Sequence, residues 1–462
     1  VVPLRQDVLW HDGIPFTAAD VVYTVGLLQS PDFPGPTGLR EFWQTIEVEA
    51  INDYLVRFRL AQPLATFPEA IRIGILPEHA LRGTNAAQLA AHPFNLDPIG
   101  TGPYQLEQIL VDDDLTIRQV DLRVAPNFRL RPEAQDRYQL DRVRFRIYDD
   151  YAAVLAALRA GEAEGYAGRQ LEQRADLQQI PGLTVYQTIA PNVGLLIFNW
   201  VDDDVAYFRQ ERVRQALALG LDRTSMVERN MINRAVRADS PIPRLSWAYN
   251  YGDSLGARWT YNLDQARAEI ALIDERLDRQ AVQAAEESGE EPQTDGPVLS
   301  FDILTLDDPA LVGLAREIAA QWSLLNVEAT VEAVDLRTYN ARLRDGDFDT
   351  ALVEYSKDGN ADPDLYAFWH QGQYPDGRNY GGVNERAISE ALERARFDVN
   401  GINRKIHYDN FQRAFIGRAV AIPLYYPLFT YVVAPRVDGV QLGFIGAAPD
   451  RFMTIGDWRL TG

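Results

Sequence analysis

One short stretch gathers the side chains best suited to chemistry. Tyr355, Ser356, Lys357 and Asp358 are followed by Asp362, Phe368, Trp369 and His370. Two carboxylates among aromatic rings suit a cationic, partly apolar small molecule, while Lys357 could instead neutralise a carboxylate of such a ligand. The plainer alternative is that Asp358 and Asp362 cap turns and Trp369 belongs to the core. The flanking pattern says what must position these groups. Ala351 and Val353 alternate with Thr350 and Glu354, which predicts a strand over Asp349 to Tyr355 with one face buried. Ser356 to Asn360 are turn formers, Asp362-Pro363 closes the irregular part, and Leu365, Phe368 and Trp369 resume a helical spacing. A loop at the carboxyl end of a strand in an α/β domain is the usual ligand position.

Patterns that would signal catalysis or a resident cofactor fail when tested against their chemistry. Asp345, Asp347 and Asp349 begin a calcium loop, but Thr350 stands where the turn needs glycine and Ser356 where a bidentate Glu is required. Gly100-Thr101-Gly102 lacks the third glycine of a dinucleotide fingerprint, the sixth position being Gln105. His11, His79, His92, His370 and His407 are scattered without metal-ligand spacing, and no HExxH or GxSxG occurs. The runs Asp112-Asp113-Asp114 and Asp202-Asp203-Asp204 are read as solvated turn charges rather than cation sites. No catalytic residue, metal ligand or cofactor is therefore expected. A generic enzyme of α/β-hydrolase type stays as the alternative from another class, with no motif behind it.

Composition narrows the partners. The 462 residues, 46% hydrophobic, are enough for two to four cored domains. A formal net charge of −21 argues against nucleic acid or an anionic membrane as partner. With no cysteine there are no disulfides, thiol nucleophiles or thiolate-bound metals, and the compartment stays open. No apolar run reaches the roughly 20 residues of a membrane span, and no signal peptide opens the chain. VVPLRQDVLWHDG reads as a strand and turn entered in mid-fold, which suggests that a preceding part of the natural protein is absent.

In order, His11-Asp12-Gly13 makes a turn, Thr17 and Asp20 bracket a capping box, and Val21, Val22, Val25 and Leu28 line the inner face of a helix. His11 is read as structural. NVGLLIFNW, residues 192–200, is a buried strand; Ser240-Pro241-Ile242-Pro243 and Trp247 to Tyr251 form a Pro-rich aromatic loop; and Asp274 to Gly296 reads as a solvent-facing helix with a linker. A strand over Leu299 to Leu306, a helix through Trp322 and a strand over Ala329 to Val334 spell a βαβ unit.

Four strings, WHDGIPFTAADVVYTV, PIGTGPYQL, FRQERVRQALALGLDRTSMV and DGDFDTALVEY, resemble in order and spacing the recurrent signatures of the family 5 extracellular solute-binding proteins. That family holds the dipeptide-, oligopeptide- and nickel-binding receptors of ABC importers. The resemblance implies a two-lobed α/β fold of the periplasmic-binding-protein kind, type II and cluster C-like, with an extra small domain. It divides the chain into an incomplete small domain over 1–98, a first lobe over 99–196, a second lobe over 197–426 and a return to the first lobe over 427–462. Two crossings, near Leu196 to Trp200 and near Tyr425 to Thr430, would form the hinge.

The resemblance also implies a function without turnover: a monomeric, extracytoplasmic receptor, periplasmic or lipid-anchored, that closes on solute and delivers it to a membrane permease. In the peptide-binding members an aspartate shortly after the matching strand pairs with the ligand's α-ammonium. The matching residue is Asp358, three after Tyr355, which stands where the family usually has tryptophan. Tyr355, Ser356 and Lys357 would add contacts, and Trp200, Trp247, Tyr380 and Tyr425 would wall the cleft. Peptide is the first expectation for the solute, with oligosaccharide and nickel chelate as alternatives.

Overall fold

The structure, a computed structural model, describes residues 1–168, 173, 176–252, 255–289, 296–355 and 362–461. The chain begins with β1 (Val2–Pro3), β2 (Ile46–Asn52) and β3 (Leu55–Leu60), an antiparallel sheet in the order β1-β3-β2. Against it lies the helix Ala18–Gln29, whose capping box is formed as the sequence predicts, with Asp20 accepting from the Thr17 backbone N–H at 2.9 Å. Asp20 is 3% exposed and also accepts from Trp10 and from the Glu78 backbone N–H, so this carboxylate knots the turn, the helix and the following segment together.

The next sheet is β4 (Tyr104–Val111), β5 (Ile117–Val124) and β6 (Arg142–Arg146), antiparallel in that order. Asp112 turns the β4–β5 hairpin by accepting from the Asp114 and Thr116 backbone N–H groups, a turn role as expected. His11 joins the first sheet region to this one. Its Nδ1 accepts from the Gly100 N–H at 3.1 Å, so Nε2 carries the proton and donates to the Gly102 carbonyl at 3.0 Å. Two of the four recognised strings thus meet in space through one imidazole, and burial lowers its affinity for a second proton.

Further along come β7 (Gly165–Gly168), β8 (Thr184–Ile189), β9 (Val193–Phe198), β10 (Ala235–Arg237), β11 (Leu299–Leu306), β12 (Val327–Val334) and β13 (Thr350–Tyr355). The apolar, aromatic run AIPLYYPLFTYVV then supplies β14 (Ile422–Val433), a 12-residue strand that is half-buried at Leu428 and buried at every other position. β14 belongs to both lobes. Its first half pairs with β9 and β10, and its second half, from Leu428, pairs with β8 and, from Thr430, with β7. The partner change lies within the expected Tyr425 to Thr430 crossing. The other expected crossing, Leu196 to Trp200, falls on the second half of β9 and the residues after it, where β9 pairs with β13 on one side and β14 on the other; Ala190 to Asn192 link it to β8. A fully buried strand satisfies its backbone in a ladder on both sides, which leaves the bend to the short link before it.

The second lobe holds the largest core. β11 pairs in parallel with β12 and β13, the predicted βαβ unit being closed by the helix Pro309–Ser323. The helices Arg386–Phe397 and Gly401–Gly417 carry Ile388, Leu392, Phe411 and Phe415 into the same core. Leu263–Ser288 is one 26-residue helix capped by Asn262, so the solvent-facing helix expected from Asp274 begins earlier, at Leu263, because no breaker precedes it. The chain ends with β15 (Val437–Asp438) paired to β16 (Arg459–Leu460), next to a cluster of Phe429, Tyr431 and Trp458 under the second half of β14.

Candidate functional site

The loop singled out in the sequence is held at both flanks. On one side β13 ends in Tyr355, whose ring is 7% exposed, lies 4.3 Å from Phe368 and meets Trp369 edge-on at 5.3 Å. On the other side Asp362, 5% exposed, receives Arg404 Nη2 at 3.0 and 2.8 Å on its two oxygens, with the Tyr408 hydroxyl at 3.4 Å. The Arg404 guanidinium sits 5.2 Å from the Trp247 ring, which also meets Tyr408 edge-on at 5.6 Å. Trp247 remains 46% exposed, so it offers an aromatic face beside the Asp362 flank. Ser356, Lys357 and Asp358 lie outside the described residues. Tyr355 itself is a core residue of the flank in this structure, with burial holding its phenol protonated.

A second group assembles where the two lobes meet. Glu354 is exposed on a strand whose other positions are buried. Its two oxygens accept from Asn192 Nδ2 at 2.9 Å and from the Tyr425 hydroxyl at 3.3 Å. Asn192 belongs to the link between lobes and Tyr425 to the strand they share, so the carboxylate is tied to both crossings. The register explains the reach: Glu354 lies opposite Gly194 and Gly194 opposite Tyr425. A Cβ on Gly194 would come within 2.2 Å of the Tyr425 ring, so only glycine lets that ring lie across β9 to the carboxylate. Tyr425 is 2% exposed; burial first, and then the charge of Glu354, raise its phenol well above the ordinary range and keep it a hydrogen donor. The sequence reading named Tyr425 but missed Glu354 and Asn192. The available signal was a lone acid at the end of an otherwise buried strand.

Trp200 and Tyr380 sit apart from this group. Trp200 follows the far end of β9, roughly 20 Å along the strand direction from Gly194. Its ring lies 3.9 Å under the Arg214 guanidinium, and its backbone N–H donates to Gly381 at 2.8 Å. Arg214 is 2% exposed and donates to the carbonyls of Ala419, Phe208 and Arg418, closing helix and loop ends; burial lowers its pKa to about 10. Trp200 thus acts as the plate on which that arginine packs. Tyr380 is half-buried against the main core. Two hollows of about 360 and 350 Å³ also lie in the second lobe. One is lined by Arg212, Trp259 and Glu269, the other by Arg237, Asp239, Arg244 and Tyr251, and neither includes Glu354 or Trp247.

Two lobes joined by a short link and a shared strand, with polar groups converging at the joint, define a protein that can close on a ligand. Residues 1–376 match the family described as bacterial extracellular solute-binding proteins, family 5. The chain belongs to that family. It is 25% identical over 479 aligned residues to the dipeptide-binding protein of Escherichia coli strain K12, covering 96% of this chain and 81% of that protein. Its fold is similar to the structure of NikZ from Campylobacter jejuni in complex with Ni(L-His), with a TM-score of 0.69 at 23% identity, over 99% of this chain and 87% of that one. It is also similar to the oligopeptide-binding protein AppA of Bacillus subtilis in complex with a nonapeptide, with a TM-score of 0.65 at 22% identity, over 100% and 87% of the two chains.

Proposed function

We propose that this protein is the extracytoplasmic receptor of an ABC importer, binding a peptide-like solute between its lobes and presenting the closed form to a membrane permease. The observation that carries the reading is the division of β14 between lobes. A rigid strand shared by two bodies, with one short link beside it, leaves bending as the cheapest motion, and a solute touching both lobes shifts the population toward closure. No bond of the solute is changed in this cycle. The peptide-binding relatives support a peptide-like solute, and the likeness to a nickel-chelate complex keeps a chelate as the alternative. Within the site, Asp358 would pair with the solute's α-ammonium, Ser356 and Lys357 would add polar contacts, and Trp247 would wall the cleft beside the Asp362 flank. The protein would act outside the cytoplasm, free in a periplasm or held by a lipid anchor.

The test is a thermal-shift screen against di- to pentapeptides, cello- and xylo-oligosaccharides and nickel chelates, repeated on Asp358→Ala. A ligand that binds only the native state at 100 times its Kd stabilises it by about 2.7 kcal/mol. A shift with peptides that is lost in the variant, together with a smaller radius of gyration in solution scattering, is expected. A shift with sugars or chelates alone would overturn the peptide assignment.

A further inference from the structure

We propose that Glu354 is an anionic anchor for the solute, selecting a protonated amine or guanidinium and tying its capture to the hinge; the inference rests on solute entering between the lobes. Glu354 is the exposed position of an otherwise buried strand, so its charge stays hydrated and its protein partners decide whether that charge is cancelled or only aimed. The usual partner is a cation, yet among the described residues no Lys, Arg or His nitrogen lies within 4.0 Å of the Glu354 carboxylate oxygens. It has two neutral donors instead, Asn192 and Tyr425. They fix the direction of the carboxylate without cancelling its charge, and each oxygen keeps a lone pair for a further donor. Bare Gly194 between the strands makes this orientation possible. Asp308, the N-cap of the helix Pro309–Ser323, adds a second and weaker negative field at Tyr425. The arrangement is a preorganised acceptor for a cation, attached to both crossings that must move on closure.

The experiment is calorimetry on the purified protein with tripeptides that differ only in central charge, Ala-Lys-Ala, Ala-Gln-Ala and Ala-Glu-Ala, each with free and acetylated amino ends, plus agmatine and spermidine as cations that are not peptides. Glu354→Gln keeps the shape and an amide oxygen to accept from Asn192, reverses the Tyr425 contact so that the amide NH2 donates to the phenol oxygen, and removes the charge. Expected is a loss of about 10- to 100-fold for the cationic ligand with the neutral analogue unchanged, and reversal of the preference toward Ala-Glu-Ala in Glu354→Lys. If the free amino end is the group, acetylation abolishes the difference. Peptide binding that Glu354→Gln leaves untouched, or weakens equally at every central charge with free and acetylated amino ends alike, overturns the anchor and spares the receptor reading. Binding of agmatine or spermidine without any peptide, lost in Glu354→Gln, keeps the anchor and sinks the peptide. Failure of every cation to bind overturns the anchor.

Discussion

Asp362 and Glu354 flank the same loop, and they are satisfied in opposite ways. Asp362 is buried and closed by a guanidinium on both oxygens, while Glu354 is exposed and held by an amide and a phenol. A buried carboxylate with its own cation is a structural clamp: the pair is neutral toward anything approaching, and losing either half strands a charge. A carboxylate oriented by neutral donors keeps its field available. The difference separates a carboxylate that is closed by its own cation from one whose charge is open to a partner.

The comparison is broken most strongly at the clamp. Removing one partner, in Asp362→Ala or Arg404→Ala, should cost about 3–5 kcal/mol in urea unfolding, and the double substitution should cost less than the two single ones added together. Arg404→Ala carries a second consequence, because the Trp247 ring loses the cation beside it and its fluorescence should change in the folded state. Additive costs of under about 1 kcal/mol would make the pair no better than a surface bridge.

A third carboxylate sharpens the rule. Asp302 on β11 faces Asp349 at the start of β13; the Asp302 N–H donates to Asp349 Oδ2 at 2.9 Å and the Asp349 N–H to Asp302 Oδ1 at 3.3 Å. Burial first, and then the neighbouring carboxylate, raise Asp302 to about 7. In the unfolded chain the group loses its proton near its ordinary value of 3.8, so between about 4 and 7 the folded state holds the extra proton. This contribution is present in acid and lost as pH rises through about 7. Asp302→Asn should therefore flatten the decline in stability between pH 5 and 8, seen by denaturant titration at each pH, with a smaller effect than breaking the clamp because the group is only half-buried. An unchanged slope would mean that the two carboxylates do not share a proton. His11 tilts the balance the other way: its lowered proton affinity costs stability as pH falls below about 6.5, where the unfolded imidazole is charged and the folded one still needs a bare Nδ1 for Gly100.

Much of the frame was legible in the sequence because it is local. The capping box at Thr17 and Asp20, the βαβ unit over Leu299 to Val334 and the apolar run that became β14 are each written in contiguous residues. What stayed hidden needed contacts across long separations. Glu354 meets Asn192 across 162 positions and Tyr425 across 71, and only the pairing of β9 with both β13 and β14 brings them together. Buried arginines were equally invisible, since nothing near Trp200 in the chain announces that Arg214 will pack over it, nor that Arg404 will seek Asp362. The aromatic residues near crossings were named from their place in the chain alone, and the acid between them was passed over as the polar half of an alternating strand.

The smallest expected effect separates orientation from charge. Tyr425→Phe removes only a hydroxyl that donates to Glu354, while its ring can keep its place over Gly194. The loss of one hydrogen bond to a charged acceptor is worth about 1.5–3 kcal/mol at most, and less here because Glu354 is exposed and water can replace the donor. Stability should therefore fall by about 1 kcal/mol or less. The more telling readout is binding. If the phenol serves to aim the carboxylate, Tyr425→Phe should weaken the cationic tripeptide by a few fold, leave Ala-Gln-Ala alone, and add nothing once Glu354 is already Gln. A cost in stability with no change in the charge preference would show instead that Tyr425 is a packing residue that happens to donate, and that Asn192 alone directs Glu354.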